Sequence, residues 1–456
     1  MSYNLTTMQS IYHNEDEIIE ITHNGSSVYQ KSSGPDYTEP FYIKNINNTT
    51  DTVEISNRYS GSSAPNITVE YSTDRINWSS GTTHTGISLT LNPGDKVYFR
   101  ANTSSWASYD QQTDIWYNNT ITCSSEMGGN IMSLLYGSNF NGQREFPTVS
   151  SHNFAGLFIY SNVVKADELL LPATTLTTGC YWSMFLYCSY LTTTPELPAT
   201  TAAVSCYRMM FIGCTALTTA PAISITNSAA SCCQLMFESC TALTTAPATL
   251  PATTLADYCY NQMFAYCKSL TTAPALPATT LADSCYREMF SGCTALTTAP
   301  ALPATTLADS CYRAMFSNCT ALTTSPVLNA TTLVSDCYNG MFRYCSSLNY
   351  VTCLAETTVT DATSYWLYRV SSTGAFIKSP DGTFWTTGAS GIPTDWTVIN
   401  DSTLPAANEV WYTSTNNTII NPASYAYDAN GNGLQLMFNG VVGDHCVLSY
   451  NGDVHT

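Results

Sequence analysis

A repeat of 26 residues in the middle of the chain is the feature that most constrains its fold. A Cys-x3-Met-Phe-x2-Cys unit occurs seven times, and one of its six intervals is 27 residues long instead of 26. A unit this short cannot bury its apolar side chains alone, so successive units must stack into one continuous core. The first cysteines of the units are Cys180, Cys206, Cys232, Cys259, Cys285, Cys311 and Cys337.

Each unit predicts a short helical turn followed by a short strand. The Met-Phe pair with its two flanking cysteines fits the turn, and a Leu-Thr-Thr-Ala-Pro segment fits the strand, whose length the proline limits. The sequence therefore predicts a leucine-rich-repeat-like solenoid over residues 151–353. Residues 154–170 are expected to form a degenerate first turn that caps it, with Leu157-Phe158 in place of Met-Phe and Ser161 in place of a cysteine.

The repeat resembles the BspA-like leucine-rich repeat family in its pattern Leu-Pro … Cys-x3-Met-Phe-x2-Cys-x2-Leu. Methionine stands where that family has alanine, Cys285 and its equivalents replace an apolar residue, and the unit is longer than the family's usual one. Such repeats occur in surface proteins of gut bacteria and protists and in gut phages, and residues 386–396 are similar to tails of the phage proteins. The resemblance implies adhesion or recognition.

Strand patterns predict β-structure on both sides of the repeats, so the expected fold class is mainly β with short helical turns. Asn24-Gly25 lies between strand-like runs and predicts a hairpin. Short strands at regular spacing predict an immunoglobulin- or fibronectin-like β-sandwich without the diagnostic cysteines. The predicted flanking segments are a hairpin or anchor (1–35), the β-sandwich (39–125), a C-terminal cap (354–400) and a small β-module (401–456).

The charge balance excludes some partners. Acidic residues outnumber basic ones 33 to 15, which gives a net charge of −18. Such a surface repels phosphate backbones, so nucleic acid is not an expected partner. No apolar run has the length of a membrane span, so membrane insertion is not expected. The start of the chain lacks the basic and apolar regions of a signal peptide, and we expect synthesis and folding in a cytoplasm.

The 18 cysteines are interpreted as packing residues of the solenoid, because most of them recur with its period. Disulfides are the open alternative, since stacked units bring like cysteines close together, but a cytoplasm would keep them as thiols. Zinc is disfavoured because short Cys-x2-Cys pairs are missing.

No catalytic or cofactor motif is present, so the sequence predicts neither an enzyme nor a cofactor. None of the six histidines lies in a zinc-protease pattern, and no nucleophile elbow, P-loop or dinucleotide fingerprint occurs. Residues 428–433 resemble the first half of a calcium loop. Because its twelfth position is Asn439 and not the required glutamate, a hairpin turn is the preferred interpretation.

Aromatic and arginine side chains near the paired cysteines are the candidate ligand-binding residues. Tyr, Trp and Arg are enriched at binding hot spots. The alternative is that each tyrosine covers the neighbouring turn. The candidates are Tyr181, Trp182, Tyr207, Arg208, Tyr260, Tyr286, Arg287, Tyr312, Arg313 and Tyr344.

Paired threonines form a second repeated feature. Threonine suits an exposed strand face, and the alternative is a regular hydroxyl surface for carbohydrate or ice. The pairs are Thr192-Thr193, Thr218-Thr219, Thr244-Thr245, Thr271-Thr272, Thr297-Thr298 and Thr323-Thr324.

These features and the resemblance lead us to expect a phage virion surface protein, such as a fibre, decoration or host-attachment protein. Its N-terminal region would contact other virion proteins, and its solenoid would bind a glycan or protein of the host surface, with a trimer as one expected assembly. A bacterial cell-surface adhesin and a purely structural virion decoration are the alternatives.

Overall fold

The computed structural model describes residues 10–14, 17–23, 26–30, 36–57, 64–110, 115–147 and 151–400, with side chains for 36–57, 64–107, 119–147 and 151–400. The β-module expected at 401–456 and its turn at 428–433 lie outside the described residues. Near the N-terminus, a separate antiparallel sheet has the order β1-β2-β3. Its strands are β1 (Ser10–Asn14), β2 (Glu17–His23) and β3 (Ser26–Gln30).

A β-sandwich follows this first sheet. Alternation of apolar and polar residues buries one face of each main strand, as Val53 and Ile55 show within the fifth strand. The strands are β4 (Tyr42–Lys44), β5 (Asp51–Asn57), β6 (Thr68–Ser72), β7 (Ser79–Thr82), β8 (Ile87–Leu91), β9 (Lys96–Ala101), β10 (Ala107–Asp110), β11 (Ile115–Thr122) and β12 (Glu126–Asn130), followed by helix α1 (Ser133–Tyr136) and a 3-10 turn (Gly137–Asn139).

The sandwich and the solenoid share one sheet. The smaller sheet of the sandwich has the order β10-β11-β5-β8, and the larger has the order β13-β12-β4-β9-β6-β7, where β13 is Lys165–Leu170. β12 pairs antiparallel with β4 and parallel with β13, which in turn bridges to Thr193 of the next coil. The sandwich therefore extends beyond the predicted boundary at residue 125, because β12 is a strand of its larger sheet. The same strand links the sandwich to the first coil.

Each repeat unit forms one coil of the solenoid, and its Met-Phe segment is a run of overlapping β-turns rather than a helix. We call the stacked runs the turn ribbon; in the first full coil the run covers residues 177–188. Alternate amides bond within the coil, as Met184 N does to Tyr181 O at 3.2 Å. The amides between them bond to the next coil, as Phe185 N does to Met210 O at 2.9 Å.

Every fourth residue of the turn ribbon has a positive φ, as at Ser284 (55°), Glu288 (54°) and Gly292 (76°). These residues are the third residue of alternate turns, where a type II turn requires a positive φ. A left-handed conformation costs an L-residue about 1–2 kcal/mol. The bonds to neighbouring coils hold the backbone in this conformation even where no glycine is present.

The opposite side of each coil is extended and pairs in parallel with its neighbours. In the middle coils this pairing consists of single bridges, such as Thr245 to Thr272. At the C-terminal end it widens into a four-stranded parallel sheet, whose last two strands lie in the segment 354–400. Its strands are β14 (Thr324–Leu328), β15 (Tyr350–Cys353), β16 (Gly374–Lys378) and β17 (Trp396–Asn400). The expected mainly β fold with a central solenoid is thus confirmed.

One core runs through the solenoid. The phenylalanines of the Met-Phe pairs stack ring on ring from Phe185 to Phe342, with centroids 5.4 to 5.8 Å apart. In the degenerate first turn, Phe158 continues this stack towards the sandwich, 5.2 Å from Phe185. At the other end, Trp366 lies on Tyr338 at 6.3 Å. Aromatic rings therefore close both ends of the repeat core.

Candidate ligand-binding surface

Five of the predicted surface tyrosines are buried, so their assignment to an exposed binding surface was wrong. Each is at most 1% exposed, because its ring stacks on a ring of a neighbouring coil at about 6 Å, for example Tyr286 on Tyr312 at 5.9 Å. Burial also raises the pKa of these phenols well above the ordinary value. The tyrosines cover the neighbouring turn, as the alternative interpretation had it; they were selected because tyrosine is enriched at binding hot spots. The five are Tyr181, Tyr207, Tyr260, Tyr286 and Tyr312.

The other candidate residues are partly exposed on the turn ribbon. The Arg208 guanidinium lies 4.7 Å from the centre of the Trp182 ring. Arg287 pairs with Glu288 and Arg313 with Asp336, each at an N···O distance of 3.0 Å. These two guanidiniums are therefore already neutralised by acidic neighbours.

Exposed tyrosines occur one residue before the second cysteine of a unit. Tyr187 and Tyr266 are 47% and 45% exposed, and each lies flat against a glycine of the next coil. A Cβ added to Gly213 would lie 2.4 Å from the Tyr187 ring, and one added to Gly292 would lie 2.6 Å from that of Tyr266. This position varies from unit to unit, whereas the buried tyrosine is nearly constant. On the turn ribbon, variation among the units was the signal that separates the exposed tyrosine position from the buried one.

The turn ribbon ends in a group of five residues, which we call the arginine–tyrosine cluster: Arg343, Tyr344, Tyr365, Tyr368 and Arg369. The Arg343 guanidinium lies 4.7 Å from the ring centre of Tyr344 and 5.9 Å from that of Tyr368. The Arg369 guanidinium lies 5.5 and 5.4 Å from the same two rings. Both cations therefore flank one pair of tyrosines, contributed by two successive coils.

The cluster is open to solvent. Tyr365 is 54% exposed, and both arginines are exposed. The Tyr365 ring meets that of Tyr368 edge-on at 5.9 Å, and Arg343 donates a hydrogen bond of 3.0 Å to the Tyr344 hydroxyl. Of these residues, the sequence predicted only Tyr344 as a ligand-binding candidate. Arg343, Tyr365, Tyr368 and Arg369 were missed because no motif links residues that stacking alone brings together.

The paired threonines lie on another side of the coils and are mostly exposed. Between the first two full coils they border an open groove of about 560 Å³, lined by Thr192, Thr193, Pro195, Thr218 and Thr219 among others. Glu196 is the acidic residue in its lining. The groove offers hydroxyl groups and prolines, whereas the arginines of the solenoid lie on the turn ribbon.

The cysteines belong to the core, which confirms their interpretation as packing residues. All seventeen cysteines in the described part of the chain are buried as free thiols. Burial raises the pKa of Cys285 and of Cys293 to about 12, so both stay protonated and unreactive at neutral pH. Within the described ranges, no group of three His, Cys, Asp or Glu side chains is placed to hold a metal ion. Among the same residues, no helix is long and apolar enough to cross a membrane.

The architecture and its exposed face define a mainly β solenoid protein joined to a β-sandwich. No protein-family model, curated protein or solved structure matches the chain.

Proposed function

We propose that this chain is an attachment protein of a phage virion surface, which binds a glycan or protein of the host surface through the turn ribbon of its solenoid. The observation that carries the proposal is the set of exposed aromatic and arginine side chains held on a rigid, hydrogen-bonded ribbon. Tyr187, Tyr266 and Tyr365 are each between 45% and 54% exposed.

The rigidity of the ribbon favours binding. A side chain on a backbone that is bonded to both neighbouring coils loses little conformational freedom when a ligand arrives. Solvent-exposed aromatic rings gain from being covered by a partner. Several weak contacts along the ribbon, multiplied by copies on one particle, would add up to strong attachment.

The division of roles is also part of the proposal. The N-terminal sheet, β1 to β3, would contact other virion proteins, while the solenoid would face the host. The resemblance of the repeats to BspA-like surface proteins and to gut-phage proteins supports the recognition role. We propose no catalytic activity for the chain, which we place on the virion surface.

The test compares the full chain with a variant lacking residues 1–35. Because β12 and β13 join the sandwich to the solenoid, both are kept in each protein. We expect both proteins to bind intact host cells and only the full chain to be incorporated into particles, as measured by mass spectrometry of purified virions.

A second comparison locates the binding face. Tyr187→Ala combined with Tyr266→Ala should weaken cell binding, while Thr245→Ala combined with Thr272→Ala, on the threonine side, should leave it unchanged. Loss of binding only in the threonine variant would move the function to that face. Detection of the chain in virions without any binding to cells would favour a structural decoration, and its detection on a bacterial envelope would favour an adhesin.

A further inference from the structure

The two arginines of the arginine–tyrosine cluster lack acidic partners, unlike Arg287 and Arg313 elsewhere on the ribbon. Arg287 and Arg313 each form an ion pair at 3.0 Å. Among the described residues, neither Arg343 nor Arg369 forms one. Acidic groups on the adjoining part of the ribbon are engaged elsewhere, since Asp336 pairs with Arg313 and Asp361 accepts a hydrogen bond from Ser335.

This placement is unusual for a chain with 33 acidic and 15 basic residues. Two guanidiniums within 6 Å of the same two rings repel each other, and the faces of the tyrosine rings compensate their charge in part. Contact with a ring face leaves the N–H groups at the edge of a guanidinium available. Arg343 uses one of its donors on Tyr344, and no side chain among the described residues is seen to accept from Arg369.

We propose that the arginine–tyrosine cluster binds a saccharide that carries an anionic group, an inference that rests on the attachment function proposed above. The free N–H groups of Arg343 and Arg369 would hold the anion, since a guanidinium donates two parallel hydrogen bonds to a carboxylate or phosphate. The exposed face of Tyr365 would lie against the sugar ring. The anion is thus the shared chemistry, and carboxylate, sulfate and phosphate are its possible sources.

The charge of the whole chain argues for a sparsely charged ligand. A net charge of −18 repels a dense polyanion such as nucleic acid at long range. A saccharide with fewer than one anion per ring meets less repulsion, and it presents rings that tyrosine side chains can cover. These two properties together favour an anionic saccharide over a nucleic acid or an acidic peptide.

The backbone at the cluster tolerates the substitutions that test it. Tyr365 has a φ of 53°, and Ala314, at the equivalent position two coils earlier, has a φ of 51°. Tyr365→Ala therefore keeps a residue that the ribbon already accepts there. Arg343 and Arg369 are exposed, so replacing them with glutamine removes charge without opening the core.

The experiment measures the affinity of the full chain for defined saccharides by calorimetry. The probes are partly methyl-esterified oligogalacturonate and lightly substituted dextran sulfate and dextran phosphate, each with fewer than one anion per ring and each compared with its uncharged counterpart, fully methyl-esterified oligogalacturonate or plain dextran. We expect at least one anionic probe to bind about tenfold or more tightly than its uncharged counterpart. The double variant R343Q/R369Q should abolish this preference, and R343K/R369K should restore it only in part, because lysine lacks the planar fork.

Two further variants complete the test. Tyr365→Ala should lower the affinity for the anionic probe severalfold. Arg144→Gln is the matched control, since Arg144 is also exposed and lies 4.6 Å from a tyrosine ring, that of Tyr37, but belongs to the sandwich side of the molecule. It should leave the affinity unchanged. Circular dichroism and thermal unfolding check that every variant is folded.

Several outcomes would overturn the inference: equal affinity for charged and uncharged probes, no binding of any anionic probe, or an unchanged preference in R343Q/R369Q. Tighter binding of a short single-stranded DNA that depends on the same arginines would replace the saccharide by a nucleic acid. If the chain binds host cells while R343Q/R369Q binds them equally well, the attachment function stands and only this ligand assignment fails.

Discussion

The thiol of Cys293 donates a hydrogen bond to the main-chain carbonyl oxygen of Phe264 in the preceding coil, with an Sγ···O distance of 3.1 Å. The amide of Cys267 donates to the same oxygen at 3.2 Å. The thiol bond recurs at 2.9 to 3.3 Å along the column of second cysteines, from Cys188 to Cys345. A small apolar residue with a weak donor fits this position, which explains why cysteine recurs there in all seven units.

The phenylalanine stack should carry much of the stability of the solenoid. Phe290 is fully buried between Phe264 and Phe316, at 5.8 and 5.7 Å. Phe290→Ala should lower the free energy of unfolding by about 3–5 kcal/mol, as expected for a large cavity in a core. Chemical denaturation measures the change. Tyr266→Ala, at an exposed ring, is the control and should change stability by less than about 1 kcal/mol; equal effects of both variants would contradict the proposed register of the core.

Removing one buried hydroxyl should stabilise the protein. The Tyr286 hydroxyl is buried and has no hydrogen-bond partner among the described residues. Because an unsatisfied buried polar group costs about 1–3 kcal/mol, Tyr286→Phe should raise the free energy of unfolding by about 1 kcal/mol. Tyr365→Phe, where the ring is exposed, should change it by less than about 0.5 kcal/mol. A clear loss of stability in Tyr286→Phe would show that the hydroxyl has a partner.

The left-handed positions of the turn ribbon should respond to glycine in the opposite way from the rest of the coil. Ala314 has a φ of 51°, whereas Ala321 is not among the residues with positive φ. Ala314→Gly should raise the free energy of unfolding by up to about 1 kcal/mol, because it relieves the left-handed strain at a smaller cost in chain entropy. Ala321→Gly should lower it by about 0.5–1 kcal/mol. Thermal unfolding of the two variants, measured side by side, tests this expectation. A change in stability of the same sign in both variants would contradict the explanation by left-handed strain.

Alkaline pH should unfold the solenoid. Burial raises the pKa of Cys285 and Cys293 to about 12 and that of Tyr286 well above its ordinary value. In the unfolded chain, thiols and phenols ionise from about pH 8.5 to 10. The unfolded state then binds fewer protons than the folded state, so stability is full below about pH 8.5 and falls as the pH rises towards 12.

Thermal midpoints measured under reducing conditions at several pH values in that range test this dependence. They should fall steeply above about pH 9, and refolding at neutral pH should restore the midpoint. Thiol-reactive dyes should label the cysteines slowly at neutral pH and rapidly once the midpoint is passed. Midpoints that stay constant up to pH 11 would contradict the burial of these groups.

The sequence by itself determined the solenoid, because the residues that form its core recur at a fixed spacing. Phe290, Met289 and Cys293 recur in every unit, and only stacking can bury so many identical columns. The degenerate first turn could also be predicted from the sequence, since Leu157-Phe158 keeps the apolar pair. The constant phenylalanine, methionine and cysteine positions thus predicted the core.

Only the tertiary structure decided which side chains are exposed. Tyr286 and Tyr266 each lie next to a repeated cysteine, yet Tyr286 is buried in the core and Tyr266 is exposed on the surface. The reason is that alternate backbone bonds and a positive φ at every fourth residue turn the two side chains to opposite sides. The arginine–tyrosine cluster joins Arg343 and Arg369, 26 residues apart, through contacts between successive coils. The local propensities of the residues do not reveal such contacts, since the contacts form only when one coil stacks on the next.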